Sequence, residues 1–146
     1  MPKLSADLRS KMICHGSVVI ILALIAGFPY ALAILGGSAG GSRAWAAAHT
    51  GGIMNGLLVL VAAGAARRSA LNKTRQKVMA YCLIATAWGN LLGYSVGAIT
   101  GTRGLEIASP LANMVVWTLF IVAVLTAFVG LGLLAWGAAA YRSRED

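Results

Sequence analysis

Acidic residues are nearly missing from this chain. Only four of its 146 residues are Asp or Glu, and Asp7, Glu106, Glu145 and Asp146 all lie outside the long apolar runs. A triad hydrolase, carboxylate-pair acid–base chemistry and a dinuclear metal site inside those runs are thereby excluded, because each needs a carboxylate at the reacting centre. A proton-coupled transporter needs a membrane-embedded carboxylate, and it too has no residue to work with. The two cysteines, Cys14 and Cys82, are too few for a disulfide framework or a metal cluster. Charge of either sign is scarce: 11% of residues are charged and 59% are hydrophobic, and the mean hydropathy is +0.80. A soluble domain of this size carries about twice that share of charge.

The charge that is present sits in clusters between stretches long enough to cross a bilayer. These stretches predict transmembrane helices over about 12–35, 43–66, 78–100 and 111–141, with Pro29 kinking the first near its far end. Gly36 to Ser42 forms a short flexible turn, Arg67 to Lys77 a basic connector, and Gly101 to Gly104 a break. The apolar runs are continuous rather than alternating, which excludes a β-barrel and leaves a helical bundle. The expected fold is an all-α integral membrane protein, a four-helix bundle in one membrane domain, 1–146. The N-terminus has a basic start and Ala31-Leu-Ala33 after an apolar run, like a signal peptide. That run is too long for one, so it reads as a retained first helix.

Orientation follows from the Lys and Arg count on each side. The N-terminal segment, the middle connector and the C-terminal tail hold three, five and two, ten in all, against Arg43 and Arg103 in the opposite loops. Both termini are therefore expected in the cytoplasm, in a bacterial-type inner membrane. The net charge of +8 is explained by helix ends and lipid headgroups, and no nucleic-acid partner is expected.

Two features remain that could carry chemistry. Glycines recur every fourth residue on the third helix (Gly89, Gly93, Gly97, Gly101) and at Gly52 and Gly56 on the second. Such stripes let helices pack closely, and they equally leave room for a flat cofactor or substrate. His49, Asn55, Asn90 and Tyr94 are polar side chains at lipid depth, where they are costly and usually functional. At 1.5 Å per residue the four share a slab in the outer half of the bilayer. Tyr is common near interfaces and Asn joins helices, so each has a structural reading as well. His15 lies at the start of the first helix, nearly a membrane thickness from His49, which argues against a bis-histidine cytochrome. One imidazole with neutral hydrogen-bonding neighbours suits a haem held by a single histidine with an open sixth position.

Trp45-Ala-Ala-Ala-His49-Thr-Gly-Gly-Ile-Met-Asn55-Gly56 and Trp88-Gly-Asn90-Leu-Leu-Gly-Tyr94 resemble the two signature regions of the styrene oxide isomerase family. Arg103-Gly104-Leu105 and Lys11-Met-Ile-Cys-His15-Gly16 fit the same pattern, so the ordered anchors span most of the chain. The resemblance implies a four-helix subunit in a homotrimer, with ferric haem b at the subunit interfaces and a small apolar aromatic substrate. It implies His49 as the axial iron ligand, and Asn55 and Tyr94 as the polar pair on the substrate oxygen. Gly52, Gly56 and Asn90 are expected on the cofactor side. The chain is shorter than typical members in the first loop and at the C-terminus, which leaves the substrate open. Hydroxylaminobenzene mutases share the general His and Asn-Gly pattern, so rearrangement of an arylhydroxylamine is the alternative. A small transporter or structural subunit without haem is the alternative of another class.

His49 and Asn55 are six residues apart, about 120° around an α-helix. They are expected to face different ways and to serve two different active sites in a ring of subunits.

Overall fold

The computed structural model describes residues 4–36 and 41–142, and all regular structure among them is helical. The first span is α1 (Ala6–Ile25) followed by α2 (Gly27–Ile34). The second is α3 (Ser42–Ala46), a π-helical turn (Ala47–Gly51) and α4 (Gly52–Ala65), closed by a 3₁₀ turn (Ala66–Arg68). The long helices α5 (Lys73–Thr100) and α6 (Leu111–Arg142) form the third and fourth. All four spans are long and apolar enough to cross a membrane. Residues 37–40 of the expected Gly36–Ser42 turn lie outside the described residues.

Two helices begin well before their apolar runs. Ser5 is extended and its hydroxyl accepts from the Leu8 amide, so α1 starts at Ala6 rather than Met12. The Asn72 side chain accepts from the Arg75 amide at 2.9 Å, and α5 starts at Lys73 rather than Val78. These caps serve amides that a helix start leaves without partners, and a hydropathy pattern does not register them. At 28 residues α5 is about 42 Å long, so its first turns project beyond a hydrocarbon layer of about 30 Å. Most of the basic connector's second half is thus helix.

Pro29 acts one turn earlier than it stands. It has no N–H to offer the Ile25 carbonyl, and the α1–α2 interruption falls at Ala26. At the other end of the bundle α5 stops at Gly101, which is left-handed at φ 71°.

Helix α5 is central: half of its apolar window is buried, against 17% in the first and last spans. It packs mainly on α6 on one side and on α4 and α1 on the other. Met12, Val19, Val59, Met79 and Leu83 form the fully enclosed core between α1, α4 and α5. The outward faces stay apolar, with Phe28, Val61, Leu125 and Phe128 among the most exposed, as suits lipid contact.

The two glycine stripes do not face each other. A Cβ on Gly52 would lie 2.6 Å from the Ala23 Cβ, and one on Gly56 would lie 2.5 Å from Ile20 Cγ1, so the second-span stripe receives α1. Gly93 lies under Phe120 and Gly89 under the Leu119 carbonyl, so the α5 stripe receives α6. Within one chain, the room left by Gly52 and Gly56 is filled by a neighbouring helix. The α5–α6 seam also carries a buried polar joint: Thr86 Oγ1 lies 2.9 Å from Thr126 Oγ1 and 3.2 Å from the Ala123 carbonyl.

Candidate functional site

His49 lies in the middle of the π-helical turn. Wide turns of this kind are rare and are frequently found at functional sites. The carbonyls at its two ends accept from side chains: Ala46 from Thr50 Oγ1 at 2.7 Å, and Gly51 from Asn55 Nδ2 of α4 at 2.7 Å. The His49 ring points at the α1–α2 break. Its Nδ1 is 2.9 Å from the Ala23 carbonyl, in the last turn of α1, where carbonyls run out of helical partners. A carbonyl can only accept, so Nδ1 carries a proton, and in a neutral ring the lone pair is on Nε2. The Tyr30 ring stacks beside it, centroids 6.3 Å apart and planes 25° apart. Gly27 clears the space, since a Cβ there would lie 3.0 Å from His49 Nδ1.

Asn55 points elsewhere. Its Oδ1 accepts from Asn90 Nδ2 at 3.0 Å, joining α4 to α5. Tyr94 lies one turn beyond Asn90, with its ring against Gly51; a Cβ on Gly51 would be 2.7 Å from Tyr94 Cε2. The four expected side chains therefore share one level of the bundle, as two groups. His49 is held against α1 and α2. Asn55, Asn90 and Tyr94 are gathered on α4 and α5.

His15 is closer to that level than expected. Its Nδ1 accepts from Trp88 Nε1 at 3.1 Å, and it lies eight residues before Ala23 on α1, about 12 Å along the axis. The early start of α1 puts His15 in the third turn rather than at the helix end. The two imidazoles also have different partners, His15 Nδ1 the Trp88 indole and His49 Nδ1 the Ala23 carbonyl.

Tyr94 also lines a cavity of about 510 Å³ with Phe120, Gly93, Gly97, Leu105 and Val116, and with Arg43 and Arg103 at its exposed mouth. Tyr94 and Phe120 are tilted on each other at 5.1 Å and 53°. The 101–110 connector that bounds the cavity is held by one side chain. Asn113 Oδ1 accepts from the Gly104 amide, and its Nδ2 donates to the Glu106 and Ala108 carbonyls.

Sequence reasoning missed Gly27, the Ala23 carbonyl, Phe120 and Asn113. A backbone carbonyl gives no residue signal, and Phe120 reads as one more apolar residue in a long run. Asn113, three residues after Pro110 at the mouth of that run, was detectable as a polar residue at a helix start.

A family model for styrene oxide isomerase matches residues 8–139. The chain belongs to the styrene oxide isomerase family. The match covers most of the chain, including His49, the asparagine pair, Tyr94 and the cavity. No individually curated protein matches the chain. The family name implies an isomerase, and the four apolar helices make it a multi-pass membrane protein.

The donor set can be tested for haem. Among the described residues no three His, Cys, Asp or Glu side chains come together as a metal cage. A haem iron asks for only one protein nitrogen, a neutral imidazole whose second N–H is held by a carbonyl or carboxylate. His49 meets that requirement through Ala23.

Proposed function

We propose that this protein is a haem-dependent isomerase that converts an aryl epoxide such as styrene oxide into the arylacetaldehyde. The observation that carries the reading is the contact of His49 Nδ1 with the Ala23 carbonyl at 2.9 Å, which assigns the N–H to Nδ1 and leaves Nε2 to bind iron. Haem b, when bound, supplies a Lewis acid for the epoxide oxygen.

The residues have a limited task. In a rearrangement of this kind the benzylic C–O bond opens and a hydride moves to the neighbouring carbon, with every atom kept in one molecule. No side chain has to deliver or remove a proton in net, which fits long apolar runs without a carboxylate. Tyr94 and Asn55 hold the oxygen as it gains charge, with hydrogen bonds that need no reorganisation because Asn90 and Gly51 already fix the Asn55 amide. Water would trap the benzylic cation as a diol, and the apolar lining around Phe120, Leu105 and Val116 opposes its entry.

His49 turns toward α1 and α2, whereas Tyr94 and the cavity lie on the α5–α6 side. The reading therefore assigns them to two different sites: His49 of one subunit, and Asn55 with Tyr94 of the next, in a homotrimer with haem between subunits. Ten Lys and Arg against two orient both termini to the cytoplasm of a bacterial-type inner membrane.

The test is a haem Soret band on the purified protein, lost in His49→Ala, together with conversion of styrene oxide but not of phenylhydroxylamine. Subunits carrying His49→Ala and Tyr94→Phe, each expected to turn over at most about a hundredth as fast alone, are then mixed in one membrane. Random assembly of a ring gives about a quarter of the interfaces an intact histidine and an intact tyrosine, so about a quarter of the activity returns. No recovery from verified mixed oligomers refutes the shared site.

A further inference from the structure

The two terminal segments and the middle connector hold ten of the twelve Lys and Arg, and one of these cations is fixed in place. The Arg75 guanidinium carbon lies 4.1 Å from the centroid of the Trp136 ring, so the pair joins α5 to α6. The backbone under both residues is tied. Asn72 caps α5 on the Arg75 amide at 2.9 Å, and the Gly137 carbonyl accepts from the Ala70 amide at 2.9 Å. A guanidinium stacked on an indole keeps its planar N–H fork for another partner. The described carboxylates lie elsewhere: Asp7 is paired with Lys11, and Glu106 is in the connector at the opposite end of α5. From Arg75 to Thr100 α5 rises about 37 Å. With Thr100 at one edge of a hydrocarbon layer about 30 Å thick, Arg75 stands among the headgroups beyond the other edge. Trp136 is exposed, and Trp is enriched at that depth.

Deeper in the bilayer the outward face of α6 is apolar and notched. Phe128, Gly132 and Trp136 follow one another every fourth residue, so they run along one side of the helix. A Cβ on Gly132 would meet nothing within 4 Å. Gly132 lines a concavity of about 460 Å³ with Phe128 and Leu131. An apolar groove that ends on a planar cation at headgroup depth is complementary to a charged lipid. We propose that Arg75, Trp136 and this face of α6 bind one anionic phospholipid, its phosphate on the Arg75 fork and an acyl chain over Gly132. Guanidinium donors match phosphate oxygens in pairs. The charge favours a headgroup such as phosphatidylglycerol, because choline and ethanolamine bring a cation of their own to a surface that is already basic. A free phosphate ion would meet the guanidinium and leave the groove empty. Tyr94 lies about 28 Å further along α5, so this site is separate from the one described above.

The experiment titrates the full-length protein, purified in neutral detergent, with phosphatidylglycerol, and native mass spectrometry counts the lipids retained. One tightly held phosphatidylglycerol per subunit is expected, with phosphatidylcholine bound about tenfold more weakly. Arg75→Gln should weaken that first lipid about tenfold or more, as loss of a charge-assisted hydrogen bond implies. Arg75→Lys, which keeps the charge and loses the fork, is expected to fall between. Trp136→Leu removes the ring that holds the guanidinium and should weaken binding about threefold. Gly132→Leu fills the notch under the acyl chain and should weaken it as well. Lys77→Gln takes an equal charge from another face of α5 and should leave the first lipid in place. A melting curve gives a second readout: phosphatidylglycerol raises the unfolding temperature of the native chain and of Lys77→Gln more than that of Arg75→Gln. Unchanged binding in Arg75→Gln or in Gly132→Leu, with native helicity, overturns the proposal. So does equal weakening in Lys77→Gln and Arg75→Gln, since surface charge alone then holds the lipid. Release of phosphatidylglycerol by inorganic phosphate at the same concentration also overturns it and assigns Arg75 to a soluble anion.

Discussion

Gly27→Ala tests the histidine reading at a residue that touches no substrate. The added Cβ falls 3.0 Å from His49 Nδ1 and 3.1 Å from Cε1. Comfortable contact for such atoms begins near 3.5 Å, so the ring has to move by about half an ångström. A hydrogen bond of 2.9 Å to Ala23 does not survive such a shift in good geometry. Two effects on stability then oppose each other. Alanine favours a helical position over glycine by about 0.5–1 kcal/mol, and the lost hydrogen bond costs about 1 kcal/mol. Thermal unfolding should therefore change little. Haem affinity should not be spared, because removing the partner that orients a ligating histidine typically costs 10–100-fold. The assay is titration of apo-protein with haem, read at the Soret band, beside a melting curve. Gly64→Ala is the control, because a Cβ there meets nothing within 4 Å. Unchanged haem affinity in Gly27→Ala, and again in the larger Gly27→Val, would show that the Ala23 bond does not orient a ligand.

The other predictions concern different parts of the bundle. Thr86→Val keeps the shape of the α5–α6 seam and removes the hydroxyl shared with Thr126 and Ala123; interhelical bonds of this kind average about 0.6 kcal/mol, so unfolding in detergent should come slightly earlier with haem content unchanged. Asn113→Ala frees the Gly104 amide and the Glu106 and Ala108 carbonyls together; amide exchange across 101–110 should accelerate about tenfold or more while α5 stays protected. Tyr94→Phe should lower turnover by about 10²-fold or more and leave the Soret band intact; if haem and turnover fall together, Tyr94 is structural.

The spans were legible because lipid gives a chain few choices: apolar runs of this length with no water for their amides must be helical. Their ends were not. Ser5 and Asn72 extend α1 and α5 by one or two turns through single side-chain hydrogen bonds, a local effect that a hydropathy window averages away. Pro29 was legible as a breaker, and its position became clear only with the bond it withholds from Ile25. The level shared by His49, Asn55, Asn90 and Tyr94 could be counted from helix rise, and the Asn55–Asn90 bond agrees with the count. His15 was misplaced relative to His49 because His49 lies level with Ala23 and not near the far end of the first span.

The direction of each side chain is a harder quantity than its depth, and here glycine decides it. A uniform α-helix over 43–66 turns His49 from Asn55 by about 120°, but the chain contains a π-helical turn at Ala47–Gly51. Gly51 and Gly52 end it, and both lack the thickness of a side chain where their neighbours are nearest: Tyr94 stands where a Cβ of Gly51 would be, and Ala23 where one of Gly52 would be. The segment is thus clamped between α5 and α1 at two consecutive residues, and one extra residue per turn is accommodated just before the clamp. That brings His49 onto the Ala23 carbonyl while Asn55, a turn later, meets Asn90. Gly52, one of the glycines that read as room for a cofactor, is met within the chain by Ala23. The separation turns the imidazole toward α1 and α2 and gathers Asn55 with Asn90 between α4 and α5. On the proposed function, a single chain then offers half of each site, and a ring of chains completes both.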